Sequence, residues 1–265
     1  MQPDFYSECL AIFRLLRIEA HDTARIGDVR VSGLRDNLVI WLQRQVYTTF
    51  FCSMTPSPNS PYDSVALFIR ALSLANAGSR LWSKESLTRQ PGSYFVLGAP
   101  PFPDTRWLRL YWNVSPRGAV LLTAMVTATF NPICVPFQLK ILLDTSIRRR
   151  DAAVLYLPLA LWPFARMVLD PVCERLDAAS DLQSNTPLFT KPLRLGVGLA
   201  EDPQIGLSFG MHRSWLFALS LAESYLRGHV DEDQQWSDLN VQFAKEHLSV
   251  DHAYLSASSS DVYQL

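Results

Sequence analysis

Lys140 sits in the stretch VPFQLKILLD, residues 135–144, with Val135, Phe137, Leu139, Ile141 and Leu143 at every second position around it. Side chains of a strand point alternately to its two faces. The odd residues therefore form one apolar face, and Pro136, Gln138, Lys140 and Leu142 form the other. The same division separates Leu193, Leu195, Val197 and Leu199 from Arg194, Gly196 and Gly198. It also separates Leu108, Leu110, Trp112 and Val114 from Arg109, Tyr111 and Asn113. If these strands share a sheet, Lys140, Arg109 and Arg194 line one surface, a surface suited to an anion. Gly196 and Gly198 would weaken a strand unless something approaches the backbone closely. The alternation equally describes the wet face of a half-covered antiparallel sheet, so by itself it leaves both readings open.

Two local features add to the basic chemistry. In SIRRRDAAVLYL, Arg148, Arg149 and Arg150 precede an apolar strand, where guanidinium forks can grip a phosphate at two points or simply form a solvated turn. In GLSFGMHRSWLFAL, Gly210, His212 and Arg213 fall at the start of a helix. Free N–H groups there can bind an anion. An arginine in that turn opposes the helix dipole, which an anion or carboxylate partner would explain. His212 is either an acid or an ordinary hydrogen-bonded histidine.

Other chemistries lack their signatures. There is no Walker A loop, no GxGxxG after a strand, no GxSxG elbow and no HExxH, so nucleotide, dinucleotide and zinc chemistry are unsupported. His247 and His252 do not have metal-ligand spacing, and no cofactor or metal is expected. Cys9, Cys52, Cys134 and Cys173 are far apart in the chain, which predicts buried free thiols in a reducing compartment.

The elements that must position these residues change character along the chain. The first part, 1–98, reads as mainly helical: DNLVIWLQRQVYTTFF opens on Asp36 and Asn37, and SPYDSVALFIRALSLANAGSR offers Gly78 as a stop. The irregular loop MTPSPNSP lies between them. The proline cluster GAPPFPD marks an internal boundary, after which 99–265 forms the second part. There, strands are expected over 106–114, 135–143, DAAVLYL and 191–200. GAVLLTAMVTATF and HRSWLFALSLAESYLRG read as helices, as does PLALWPFARMVLDPVCERL, whose interior prolines should bend or divide it. Strands and helices in this order predict an α+β fold with a mixed or antiparallel sheet and a helical N-terminal part.

The totals set outer limits. With 265 residues, 48% hydrophobic and 18% charged, the chain can bury a real core. Net charge is −1, so nothing global points to nucleic acid. Residues 231–265 hold seven acids and one base, leaving 23 bases against 18 acids in 1–230. A mildly basic body suits an anionic ligand. The start MQPDFYSECLAIFRLLRIEA lacks the features of a signal peptide. The apolar run GAVLLTAMVTATFNPICVPF is interrupted by Asn131, Pro132 and Pro136, and AAVLYLPLALWPF is too short to cross a bilayer. A cytoplasmic protein with no membrane association is expected.

Taken together, RLYWNVSPRGAVLLTAMV, VPFQLKILLD, RRRDAAVLYLP, TPLFTKPLRLGVGLAEDP, SFGMHRSWLFAL and EHLSVDHAYL make the chain resemble the Hop-A type effector-like family over residues 94–256. That family takes its name from secreted proteins of plant-pathogenic bacteria, with relatives in class V lanthipeptide and thioamitide pathways. The resemblance implies the lyase half of a split dehydratase. A separate kinase-like partner, similar to aminoglycoside phosphotransferases, phosphorylates Ser or Thr of a precursor peptide carrying a leader. The lyase then eliminates phosphate, leaving dehydroalanine or dehydrobutyrine. Such chemistry needs a base that is neutral before it acts, and partial burial beside other cations can make a lysine so. Under this resemblance Lys140 is the base, and Arg109, Arg149 and Arg213 hold the phosphate. His212 or Tyr111 is the acid, and Lys191 and Arg194 stand in reserve for phosphate or peptide. Two alternatives keep the fold: a non-catalytic partner that binds leader peptide or activates the kinase, and a type III effector acting on a host protein. A compact chain without a long Ser-rich delivery segment speaks against the last.

Overall fold

Asp4 accepts a hydrogen bond from the Ser7 amide at 2.7 Å and so starts helix α1, Phe5–Leu15. The structure, a computed structural model, describes residues 4–57, 60–77, 83–101, 103 and 105–263. After α1 come three short strands, β1 (Leu16–Ala20), β2 (Thr23–Ile26) and β3 (Val29–Val31). Helix α2 (Leu38–Gln45) runs into a π-helical turn over Val46–Phe51. Next are β4 (Thr55–Pro56), α3 (Val65–Ala77), β5 (Lys84–Ser86), β6 (Ser93–Leu97) and β7 (Trp107–Trp112). Ser115 caps α4 (Pro116–Phe130), with Pro116 at its first position. The chain continues through β8 (Gln138–Leu142), β9 (Ile147–Arg148), β10 (Ala153–Pro158) and α5 (Trp162–Ala178). It ends with β11 (Lys191–Arg194), β12 (Val197–Glu201), α6 (Phe209–Arg227) and α7 (Glu232–Lys245). The fold is α+β, and its paired strands are antiparallel.

Three local outcomes differ from the sequence reading. The N-terminal part contains a three-stranded sheet, β1–β2–β3, which the mainly helical reading of 1–98 did not include. Helix α5 passes through Pro171 undivided. Residues 191–200 form a hairpin, not one strand: β11 turns back on β12 at Leu195–Gly196. The expected stop at Gly78 lies outside the described residues, as does part of the proline cluster at 98–104.

The chain divides into two compact units, and the division is not at residue 98. The first comprises 1–53, 187–190 and 203–262; the second comprises 54–186, 191–202 and 263–265. In the first, α6 is the central helix. It packs on α2, the π-helical turn and α7, and Gly210 lets it come close to the ring of Phe51, into which a Cβ would project at 2.6 Å. Phe217 stacks on Phe13 of α1 at 5.1 Å.

The second unit is built on a seven-stranded sheet in the order β11-β12-β7-β10-β8-β6-β5. One face is almost wholly apolar. Val197, Trp112, Ala153, Ile141 and Tyr94 stand in one row, and Leu199, Leu110, Leu155, Leu139 and Val96 in the next. All ten are buried. At about 25 cal/mol per Å² of apolar surface, such rows supply much of the folding free energy. Helices α3, α4 and α5 pack side by side and cover this face. Phe130 of α4 meets Phe137 at 5.7 Å, and Trp162 of α5 meets Tyr263 at 5.4 Å.

Candidate functional site

The opposite face of the seven-stranded sheet carries the charges. Gly198, Tyr111, Val154, Lys140 and Phe95 stand side by side across five strands. In the next row on the same face are Ala200, Arg109, Tyr156, Gln138 and Leu97. Lys140 is half-buried between the apolar side chains of Val154 and Phe95. Tyr111 lies two strands away, about 9–10 Å across the sheet. Tyr156 is diagonal to Lys140, about 7–8 Å away.

Arg109 anchors the second row. Its guanidinium bonds Asp202 through Nε at 2.6 Å and through Nη2, and it lies over the Tyr156 ring at 5.2 Å. It also hydrogen-bonds the Tyr111 hydroxyl. Burial acts to lower the Arg109 pKa, but Tyr111, Tyr156 and Asp202 outweigh it and raise the value, so this cation stays charged. Burial pushes the Tyr111 phenol well above its ordinary range, with Arg109 opposing the shift. Burial raises Tyr156 too. Both tyrosines therefore keep their protons and are available as donors.

Arg149 is held by Asp151 in a two-point ion pair, Nε–Oδ1 2.8 Å and Nη2–Oδ2 2.9 Å. It lines a cavity of about 290 Å³ at the ends of β7 and β8, together with Asn113, Ser115, Leu142, Asp144 and Arg148. Asp151 is close enough to influence both Tyr111 and Tyr156. Arg89 lies over the Phe95 ring at 5.5 Å, beside Lys140, and also acts on Tyr156. Arg109 is thus paired with Asp202 and Arg149 with Asp151, while Lys140 and Arg89 add positive charge on either side of the Phe95 ring. Both forks are already held by carboxylates, so any anion that bound them would have to share or displace Asp202 and Asp151.

Not every residue of the sequence reading joins this face. The β11–β12 hairpin has an irregularity between Pro192 and Arg194, and it sets Arg194 opposite Val197 and Lys191 opposite Leu199. Both are therefore on the helix-covered face, and Arg194 pairs with Asp170 of α5 at 2.6 Å. The close approach expected at the two glycines is real at Gly196, but what approaches is the chain's own Gln183 carbonyl. Arg213 is fully buried in the first unit. It donates to the carbonyls of Ala253 and Leu255 at 2.7 Å each and to His212 Nδ1 at 2.6 Å. A guanidinium enclosed in this way is a structural clamp and not a phosphate ligand. His212 accepts from Arg213, and burial followed by that cation lowers its pKa to about 4. It is neutral at physiological pH and has no imidazolium proton to give. The first-turn amide of Met211 is capped by Ser208, so the anion expected at this helix start is replaced by a side-chain oxygen.

Sequence reasoning missed Tyr156, Asp202, Asp151 and Arg89. Tyr156 had a signal, a hydroxyl at an even position of an otherwise apolar strand. The two aspartates follow or precede strands, where nothing local tells a site residue from a solvated turn. Cys9, Cys52 and Cys173 are buried and free as expected, but Cys134 is exposed. Among the described residues no cluster of His, Cys, Asp or Glu could hold a metal ion, and no helix is long and apolar enough to cross a membrane.

An antiparallel sheet with helices on one face and a cationic, tyrosine-bearing row on the other defines an α+β protein. Residues 85–255 match the HopA1 effector protein family, more than half of the chain, and the chain belongs to that family. The fold is similar to that of the effector protein from Pseudomonas syringae pv. tomato strain DC3000, with TM-score 0.64, 15% identity and 96% of each chain covered. It is also similar to the effector protein from Pseudomonas syringae pv. syringae strain 61, with TM-score 0.53 and 16% identity over 81% of this chain and 88% of that one. No curated protein matches the sequence.

Proposed function

We propose that the protein is a lyase that eliminates phosphate from phosphoserine or phosphothreonine of a precursor peptide, after a kinase-like partner has added it. The observation that carries this reading is the placement of Lys140, Tyr111 and Arg109 on one face of one sheet, inside the family-matched segment. In the proposed step Lys140 Nζ takes the α-proton. The electron pair left behind forms the Cα–Cβ double bond, the Cβ–O bond breaks, and phosphate leaves with the bonding pair. Arg109 and Arg149 supply fork-shaped donors for the charge that builds on the leaving group. Tyr111, still protonated and oriented by Arg109, is the donor to the departing oxygen. The reading needs no cofactor, and it sets the protein in the cytoplasm with its kinase.

The test uses the full chain and a synthetic phosphothreonine or phosphoserine peptide, with loss of phosphoric acid followed by mass spectrometry. Activity in the wild type that falls by about 10²-fold or more in Lys140→Ala, a typical contribution of a positioned base, supports the reading. Undiminished activity in that variant removes Lys140 from the mechanism. No elimination even with the kinase present favours a non-catalytic partner. A second reading, an effector acting on a host protein, draws on the descriptions of the two structural relatives as effector proteins. It predicts elimination from phosphoproteins in a plant extract but not from precursor peptides.

A further inference from the structure

One face of the small sheet in the first unit carries three arginines in a row. Arg17 stands opposite Arg25, and Arg25 opposite Arg30. All three are exposed, and like charges directly opposite one another destabilise a sheet. Glu19, on the same face, pairs with Arg25 at 2.8 Å and Arg30 at 2.7 Å. Its two oxygens are thereby committed, and Arg17 Nε donates to the Arg14 carbonyl at 3.2 Å. Glu232 of α7 also interacts with Arg17, but both its oxygens are taken by Arg14 at 2.7 and 2.8 Å, so the row keeps a surplus of positive charge. The other face of the same sheet is apolar, with Leu16, Ile26 and Val29 in one row and Ile18, Ala24 and Val31 in the next.

Among the described strands, β1 pairs with β2 alone. Along its other side lies a cavity of about 470 Å³. Four consecutive residues of β1, Leu16 to Glu19, line it, and Arg25 reaches it from β2 over the arginine face. The β1 side chains point alternately to the two faces, so the cavity spans the edge of the strand and opens onto the arginine face. Its far wall is Leu221 and Tyr225 of α6 and the segment Gly228–Val230, with Val230 86% exposed.

We infer that the free edge of β1 takes up an extended peptide as an added strand, one whose residues are alternately acidic and apolar. Strand addition satisfies edge N–H and C=O groups, and alternate side chains set specificity. One set of side chains would lie beside Arg17 on the arginine face. The other set would enter the apolar hollow of Phe13, Leu16, Leu221 and Val230. Charge complementarity on one side and an apolar wall on the other select this occupant. The inference does not rest on the lyase reading, since it uses neither Lys140 nor any other residue of the seven-stranded sheet.

The test is fluorescence anisotropy of the full chain with a labelled synthetic peptide alternating Glu and Leu at low salt. Saturable binding is expected, weakened about tenfold or more by the double variant Arg17→Glu/Arg25→Glu. Val230→Asp, on the apolar wall, should weaken it as well, and thermal melts show whether each variant is folded. Two further peptides carry N-methyl groups on alternate amides, in one frame or the other. The frame whose amides face β1 should lose binding while the other keeps it. The inference is overturned if the Glu–Leu peptide does not saturate, if an alternating Lys–Leu peptide binds as tightly, or if both methylated peptides behave alike. Capture by anionic phosphatidylglycerol vesicles in place of the peptide would overturn it too.

Discussion

Arg213 and Lys140 show how one charge type is placed in opposite surroundings. The Arg213 fork is satisfied within its own unit by two backbone carbonyls and His212, and it lies over the Phe209 ring at 5.0 Å. No donor is left turned to solvent for a ligand to compete for. Lys140 keeps partial exposure among apolar neighbours. His212 gives a residue-scale prediction. Its pKa in the folded chain is about 4, against 6.5 as the ordinary value. Between these two values the unfolded chain binds the extra proton and the folded chain does not, so stability rises with pH across the window. Lowering pH from about 6.5 to about 4 should cost roughly 3 kcal/mol at this residue alone. Denaturant titrations of wild type and His212→Gln check it: the variant should lose most of that slope, and equal slopes would refute the assignment.

At the scale of elements, the β11–β12 hairpin decides which cations reach the site. Read as one strand, 191–200 sets Arg194 on the same face as Gly198. The turn at Gly196 breaks that parity and sends Arg194 to Asp170. Gly196 is required twice over: its φ is +65°, and a Cβ would stand 2.3 Å from the Gln183 carbonyl oxygen. Gly196→Ala should therefore destabilise by about 3 kcal/mol, combining left-handed strain with a backbone clash. For a chain of this size that lowers Tm by about 6–10 °C, measurable by circular dichroism. An unchanged Tm would mean that the turn can relax. Strand existence was legible for β7, β8 and β10, where alternation or an apolar run is long enough to read. It went unread for β1 to β3, although Leu16–Ala20 alternates apolar and charged residues and Gly27-Asp28 is a two-residue turn signal, because strands of three to five residues are outweighed by the apolar helical run before them.

For the whole molecule, the sequence order and the compact units disagree. Each unit is assembled from separated segments, and β5 and β6 of the N-terminal part complete the sheet that bears Lys140. A fragment of residues 99–265 lacks those strands, α1 to α3 and the small sheet. It should show no cooperative thermal transition and little dispersion in an amide NMR spectrum. A fragment with a sharp transition would show instead that the second part folds alone.

The sequence by itself determined the α+β class, the apolar face of each long strand, a helix start beside His212 and Arg213, and the membership of Lys140, Arg109 and Tyr111 in alternating strands. These depend on local periodicity and capping, which a window of a few residues contains. Only the tertiary structure decided strand order and register, and through them which charges share a face. It paired Arg109 with Asp202 from 93 residues away and enclosed Arg213 between carbonyls 40 and 42 residues on. Such partners are chosen by long-range packing, and a local pattern carries no record of them.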